Sequence, residues 1–241
     1  MRTATLFLFT LAGTIVVAGA PRSQPERMMN AVTPAEQAAG WRLLFDGRTT
    51  NGWRGYRQTS MPEGWKAVDG ALTRVSTATD IVTVDQFGDF ELTVEWNLSP
   101  NGNSGILYRV TEDQELSWQT APEFQVIDNA YKEPLKPGQL AGANYDLNPP
   151  SRDATKPIGT WNATRIVARG SHVEHWLNGV KVVEYELWSD DWLKRVQASK
   201  FKDLPNYARA KRGHIALQDH GDRVAYRNFK IREIKSGTQK P

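Results

Sequence analysis

Six polar side chains fall at strand positions whose neighbours are apolar: Glu95, Arg109, Glu123, Gln125, Gln218 and His220. In FELTVEWN (90–97), Phe90, Leu92, Val94 and Trp96 share one face, and Glu91, Thr93, Glu95 and Asn97 the other. The same alternation sets Ile106, Tyr108 and Val110 against Leu107 and Arg109, and Phe124 and Val126 against Glu123 and Gln125. It also sets Ile215 and Leu217 against His214, Ala216, Gln218 and His220. If these strands are neighbours, the six line one surface. Carboxylate, amide and guanidinium groups are planar hydrogen-bonding groups suited to a hydroxyl-rich ligand, and His220 and Glu123 can move protons near neutral pH. An antiparallel sheet commonly has one wet side as well, so for each residue taken alone the alternation favours an ordinary solvated face.

A second feature favours a cleft. Residues 129–160 are rich in Pro and Gly, carry little strand pattern and leave from the end of EFQVID (123–128). Loops this long without secondary structure are uncommon and tend to be functional. This one holds Tyr145 and Asp146, and reads as an ordered segment lying over one sheet. Tyr145 and Asp128 join the candidate ligand-binding set. Asp128 and Asp219 also suit turns, and Asp219 fits a turn or the site equally. His172, His175 and His214 read as surface residues. No phosphate-binding glycine loop, closely spaced His pair or nucleophile elbow occurs. A divalent metal could be held by Glu123, Asp128 or His220, but no ligand spacing demands one.

The elements that must position these residues are short strands. Alternating runs separated by Gly, Asn, Asp or Pro recur from Trp41 onward, as in an all-β sandwich. Asp69-Gly70 and Asn178-Gly179 predict tight hairpins. Ser189-Asp190-Asp191 predicts the start of one short helix near 189–200. The domain is expected over residues 40–236, preceded by a linker over 21–39. Residues 1–20 hold a basic start and an uncharged apolar run, the pattern of a secretory signal peptide. An uncleaved anchor is the alternative, and periplasmic or secreted location is the expectation. The chain has no Cys, so neither a disulfide nor a Cys-linked lipid is available. A net charge of +3 is too small to argue for nucleic acid, and the basic stretch from Lys194 to Arg212 reads as a solvated surface. Nine Trp suit a large core, with some free to stack on sugar rings.

The motifs LFDGRTTNGW (44–53), GWKAVDGAL (64–72), DFELTVEW (89–96), GNSGILYRV (102–110), PEFQVID (122–128), IGTWNATRI (158–166), HWLNGVKVVE (175–184) and GHIALQDHGDRVAYRNFKIREI (213–234) occur in this order. Together they resemble the 3-keto-disaccharide hydrolase domain family, over nearly everything from Trp41 to Ile234. The resemblance implies a concanavalin-like jelly-roll β-sandwich with the sugar on the concave sheet. It also implies an exported protein acting on glycosides already oxidised to a ketone at C3.

A ketone at C3 acidifies the C2 hydrogen, so a base can remove it, the enolate can expel the group at C1, and water can add back. On this reading His220 is the first candidate for base and Glu123 the second. Arg109 would hold the oxyanion, and Glu95, Gln125, Asp128, Tyr145 and Gln218 would bind hydroxyls. The alternative is a non-catalytic, lectin-like module on the same fold. An ordinary endo-glycanase is disfavoured, because Gln125 stands where a second strand carboxylate would be needed.

Overall fold

The computed structural model describes residues 28–234. The expected signal peptide and residues 21–27 of the expected linker lie outside the described residues. Strands and helices are numbered in chain order. One sheet runs β11 (Val180–Glu186), β10 (His172–Leu177), β9 (Asn162–Arg169), β6 (Phe90–Leu98), β13 (Val224–Glu233), β4 (Ala71–Arg74) and β3 (Trp65–Val68), with β1 (Arg42–Leu43) also on β13. The other runs β2 (Trp53–Gly55), β5 (Ile81–Thr83), β12 (His214–Leu217), β7 (Asn103–Val110) and β8 (Glu123–Ile127). Neighbouring strands are antiparallel throughout. This is the two-sheet, all-β jelly-roll sandwich that the strand pattern and the resemblance lead one to expect.

The period-two pattern decides which face is buried. Phe90, Leu92, Val94 and Trp96 of β6 meet Ile106 and Tyr108 of β7, Phe124 and Val126 of β8, and Ile215 and Leu217 of β12 in one core. Each such side chain contributes about 1.5–3 kcal/mol when fully buried. The hairpin turns form where the sequence places them: Asp69 and Gly70 take φ of 49° and 75°, and Asn178 and Gly179 take 50° and 83°, the left-handed pair a two-residue turn requires.

Two α-helices are present among the described residues. In α2 (Asp190–Gln197) the Ser189 hydroxyl accepts from Trp192 N at 3.2 Å, as predicted from the capping residues. In α1 (Pro34–Ala38) Thr33 and Glu36 form a capping box. It lies within the stretch read as linker, and the described part of that stretch is docked on the sheet: Asn30 and Asn228 exchange hydrogen bonds at 2.7 and 2.8 Å, and Lys230 Nζ meets Glu36 at 2.8 Å.

The 129–160 segment is ordered against β8. Gly142 N donates to Gln125 O, Gln125 N to Ala143 O, and Tyr145 N to Glu123 O. It thus acts as an irregular extra strand along β8 and carries Tyr145 to the outer face of the five-stranded sheet.

Candidate functional site

A cleft of about 820 Å³ opens on that outer face. Its floor is the polar side of the strands: Asn103 on β7, Glu123 and Gln125 on β8, and Gln218 just beyond β12. Tyr56, Asp80, Ser117, Trp118, Tyr145, Lys200, Asp219 and His220 are among the residues of its walls.

Glu123 is the chemical centre of the floor. It is 5% exposed, and burial raises its pKa to about 8, with Lys200 pulling it down and Asp80 pushing it up. Gly105 sits opposite Gln125 in the β7–β8 ladder. A Cβ at Gly105 would fall against the Glu123 side chain, 2.9 Å from its Cγ, so only a glycine leaves room for the carboxyl to lie across β7. With its amide nitrogen toward the carboxyl, Gln125 donates to Glu123 Oε1 at 2.9 Å and to Ser104 O at 3.2 Å. A buried carboxyl given one amide donor and little water holds its proton more tightly than a free one, yet remains titratable.

Asp80 is a second acidic group in the cleft. Its Oδ2 accepts from the Ser117 hydroxyl and its Oδ1 from Asp219 N at 2.8 Å. Burial raises its pKa against these two hydrogen bonds, with Asp219 raising it further and His220 lowering it. The Lys200 ammonium stands 4.3 Å from the Tyr145 ring centroid, 4.6 Å from that of Trp118 and 5.1 Å from that of Phe201. A cation over aromatic faces is held electrostatically. Partial burial lowers the Lys200 pKa, and Glu123 and Asp146 push it back up.

The structure brings Glu123, Gln125, Gln218 and His220 together, as the alternation suggested, and the long loop adds Tyr145, with His220 exposed at the rim. It separates the other three. Arg109 is buried elsewhere. The β7–β12 register shifts by one residue at this point, from Ile215↔Tyr108 to His214↔Val110, and Arg109 takes a φ of 59°. This bulge breaks the alternation, and the guanidinium donates to Gly88 O at 3.0 Å and Gly170 O at 2.9 Å while pairing with Asp89.

Glu95 belongs to β6, in the opposite sheet, where it pairs with Arg227 at 2.8 Å. Asp128 lies past β8 and serves a turn, accepting from Ala130 N and Asn101 N at 2.9 Å. Asp219 lines the cleft, but its oxygens are committed to Arg74 Nε at 2.8 Å and to Ala78 N and Gly221 N at 2.9 Å, which fixes the wall beside Asp80.

Two histidines read as surface residues are also elsewhere. His175 is fully buried: Nδ1–H donates to Gly142 O at 3.1 Å, Nε2 lies 2.9 Å from the Tyr108 hydroxyl, and burial lowers its pKa to about 4. His214 is buried and donates from Nδ1 to Thr83 O at 2.6 Å. Among the described residues, the one His/Asp/Glu group close enough to share a metal is His172, Glu174 and Glu184. It lies on β10 and β11, away from the cleft, and Lys181 already bridges its two carboxylates at 3.4 and 2.6 Å. Glu123, Asp128 and His220 form no such group.

Alternation along strands could not reveal Asp80, Ser117, Trp118 or Lys200, because all four sit on loops or a 3-10 turn. The one available signal for Asp80 is its place immediately before the apolar run Ile81-Val82-Thr83.

The fold and the cleft together define a β-sandwich with a sugar-sized polar site on one sheet. Residues 40–232 match the model of the 3-keto-alpha-glucoside-1,2-lyase-like domain, and the chain belongs to this family. A 3-keto-disaccharide hydrolase of Bacteroides thetaiotaomicron is 33% identical over 239 residues, covering 86% of this chain and 82% of that relative. A crystal structure from Parabacteroides distasonis, provisionally assigned as a glycosyl hydrolase, superimposes with a TM-score of 0.81 at 33% identity. That alignment covers 86% of this chain and 100% of the other. A second structure from the same organism, with the same provisional assignment, gives a TM-score of 0.66 at 26% identity over 80% and 99% of the two chains.

Proposed function

We propose that the chain cleaves the glycosidic bond of 3-keto-glycosides, 3-keto-disaccharides among them, and that Glu123 is the proton-transferring group. The observation that carries this reading is a carboxyl only 5% exposed on the floor of a polar cleft, where burial raises its pKa to about 8. A buried ionisable group is costly, and one lining a cleft favours a catalytic site over a module that only binds.

In the reaction, the Glu123 carboxylate takes the hydrogen from C2, which the C3 ketone has acidified. The electron pair passes to the C3 oxygen as an enolate. It returns to re-form the ketone, the C1–C2 double bond forms, and the C1–oxygen bond to the aglycone breaks. The departing oxygen takes a proton from solvent water at the rim of the cleft, and the water that adds to C1 in the next step gives one back. Water then adds to C1, and Glu123 returns its proton to C2, so the sum is hydrolysis. A base with a pKa near the working pH suits both directions of this transfer. Gln125, Gln218 and Tyr145 offer hydrogen bonds to hydroxyls, Asn103 adds another amide, and Trp118 gives an aromatic surface beside them. His220 at the rim is the second acid–base candidate.

Export is part of the proposal and rests on the pattern of residues 1–20. Among the described residues no helix is long and apolar enough to cross a membrane. The test is release of a chromogenic aglycone from a 3-keto-glucoside, with the unoxidised glucoside as control. Release from the keto compound alone is expected. No release, with or without added divalent cations, would leave a binding module as the better reading.

A further inference from the structure

We propose that Lys200 is the cation of this site: its ammonium, held over the cleft by Tyr145, Trp118 and Phe201, takes the negative charge that develops on the C3 oxygen as the C2 proton leaves. The inference rests on the function proposed above and adds to it a catalytic residue from the basic stretch that reads as a solvated surface.

Enolate formation needs a positive charge or donors placed where the oxygen becomes anionic. Arg109, the cation that alternation offered for this task, is turned away by the β7 bulge and bonded to Gly88 and Gly170. Two lysine or arginine side chains line the cleft, Arg57 and Lys200. Arg57 belongs to the outer wall, where its backbone N–H donates to Glu112 at 2.6 Å and its guanidinium to Gln114 O at 3.4 Å. Lys200 shares the Glu123 end: Tyr145, whose ring it touches, is bonded through its own N–H to Glu123 O, and the Lys200 and Glu123 charges act on each other.

The backbone of Lys200 is fixed too, its N–H donating to Asp146 Oδ2 at 3.2 Å. Asp146 follows Tyr145 on the loop over β8, so one loop anchors both the lysine and part of its cage. Ring faces at 4.3–5.1 Å favour an ammonium over a neutral amine. This selects an electrostatic role over attack on the ketone as a nucleophile. No covalent bond to Lys200 forms: the C2–H bond breaks, its proton goes to Glu123, its electron pair goes to the C3 oxygen, and Lys200 stabilises that oxygen without giving up a proton.

Two measurements on Lys200→Met and Lys200→Arg, each checked for unchanged melting temperature, test this. The first follows exchange of the C2 hydrogen of a 3-keto-glucoside for deuterium, together with aglycone release. Lys200→Met should lower kcat for both by at least about 100-fold, with KM within about threefold, and Lys200→Arg should restore at least a tenth of the wild-type rate. The second needs no substrate: the Glu123 carboxyl, followed by carbon NMR, should titrate higher in Lys200→Met than in wild type.

Wild-type exchange rates in Lys200→Met would overturn the proposal. So would an unmoved Glu123 titration, or a borohydride-reducible adduct between Lys200 and the keto sugar. If the wild-type enzyme neither exchanges C2 nor releases aglycone, the proposed function fails and Lys200 loses its catalytic role, while a shifted Glu123 titration would still record the pairing.

Discussion

Gly105 of β7 leaves the space that the Glu123 side chain of β8 occupies, and a methyl group there would lie 2.9 Å from Glu123 Cγ. Gly105 needs no unusual backbone angle, since its φ is not among the positive ones. The glycine is required by contact, not conformation. Gly105→Ala should therefore fold and should displace the carboxyl by a fraction of an ångström or more. Misplacement of about 1 Å costs on the order of 100-fold in rate, and kcat/KM on a 3-keto-glucoside is expected to fall by about that factor. Full activity in a folded Gly105→Ala protein would remove Glu123 from the chemistry.

The two acid–base candidates can be told apart by substitution. Glu123 is buried on the floor, and His220 is exposed at the rim with no hydrogen-bond partner among the described residues. Glu123→Gln keeps the shape and removes the base. Turnover should drop by roughly 10²–10⁴-fold, with KM little changed. His220→Ala removes at most a rim hydrogen bond of about 1 kcal/mol, so its effect should stay within about tenfold and fall mainly on KM. In wild type, kcat/KM should rise with pH toward a plateau above about 8, as the Glu123 carboxyl ionises. A loss in His220→Ala matching that in Glu123→Gln would reverse the assignment.

Much of this site is legible in the sequence, and the boundary of legibility is physical. Glu123, Gln125 and Gln218 are found by alternation because their strands run without interruption up to the cleft. Tyr145 is found because the long loop has to return over β8. Arg109 is lost to a one-residue bulge, which leaves no mark in the hydrophobic pattern of GILYRV.

Glu95 alternates as cleanly as Glu123, but which sheet a strand joins depends on contacts far along the chain. His175 looks like a surface residue until Gly142 and the Tyr108 hydroxyl arrive to satisfy both of its nitrogens. Asp80 and Lys200 lie on irregular backbone, where no periodicity exists to be read. The β3–β4 and β10–β11 hairpins are legible because Asp69-Gly70 and Asn178-Gly179, with flanking alternation, specify each of them locally.

Stability should depend on pH in a way that isolates Glu123. Its folded pKa of about 8 lies above the ordinary value of 4.5. Between these values the folded chain holds a proton that the unfolded chain has lost, so unfolding releases it and stability falls as pH rises. His175 acts in the opposite sense: its pKa falls from 6.5 to about 4, so stability rises with pH across that interval. The two oppose each other below pH 6.5, and Glu123 is left without this opposition from 6.5 to 8. Asp80, raised mainly by burial, and His172, raised mainly by Glu186, slope the same way as Glu123. The informative quantity is therefore the difference between wild type and Glu123→Gln in urea unfolding. The variant should lose a slope of up to about 1.4 kcal/mol per pH unit between pH 6.5 and 8. Parallel profiles would mean that Glu123 titrates as an ordinary carboxyl.

Arg109 gives the complementary case, a residue expected to matter for the fold and not for turnover. It is 2% exposed and donates to two loop carbonyls, Gly88 O and Gly170 O, while meeting Asp89. Gly170 N also donates to Asp89 Oδ1 at 2.9 Å, so the guanidinium and one carboxylate tie the turn after β9 to the start of β6. Arg109→Met keeps the bulk and strands these acceptors, which should cost about 2–4 kcal/mol. Arg109→Gly loses the same bonds, but the residue sits at a φ of 59°, where glycine avoids a penalty of about 1 kcal/mol. The glycine variant should nevertheless be the more destabilised of the two, because emptying the volume of a side chain 2% exposed costs about 2–5 kcal/mol, more than the backbone relief returns. Urea midpoints check the order, and kcat/KM of the folded fraction should match wild type in both. A selective loss of kcat at unchanged stability would return Arg109 to the active site and take the enolate charge away from Lys200.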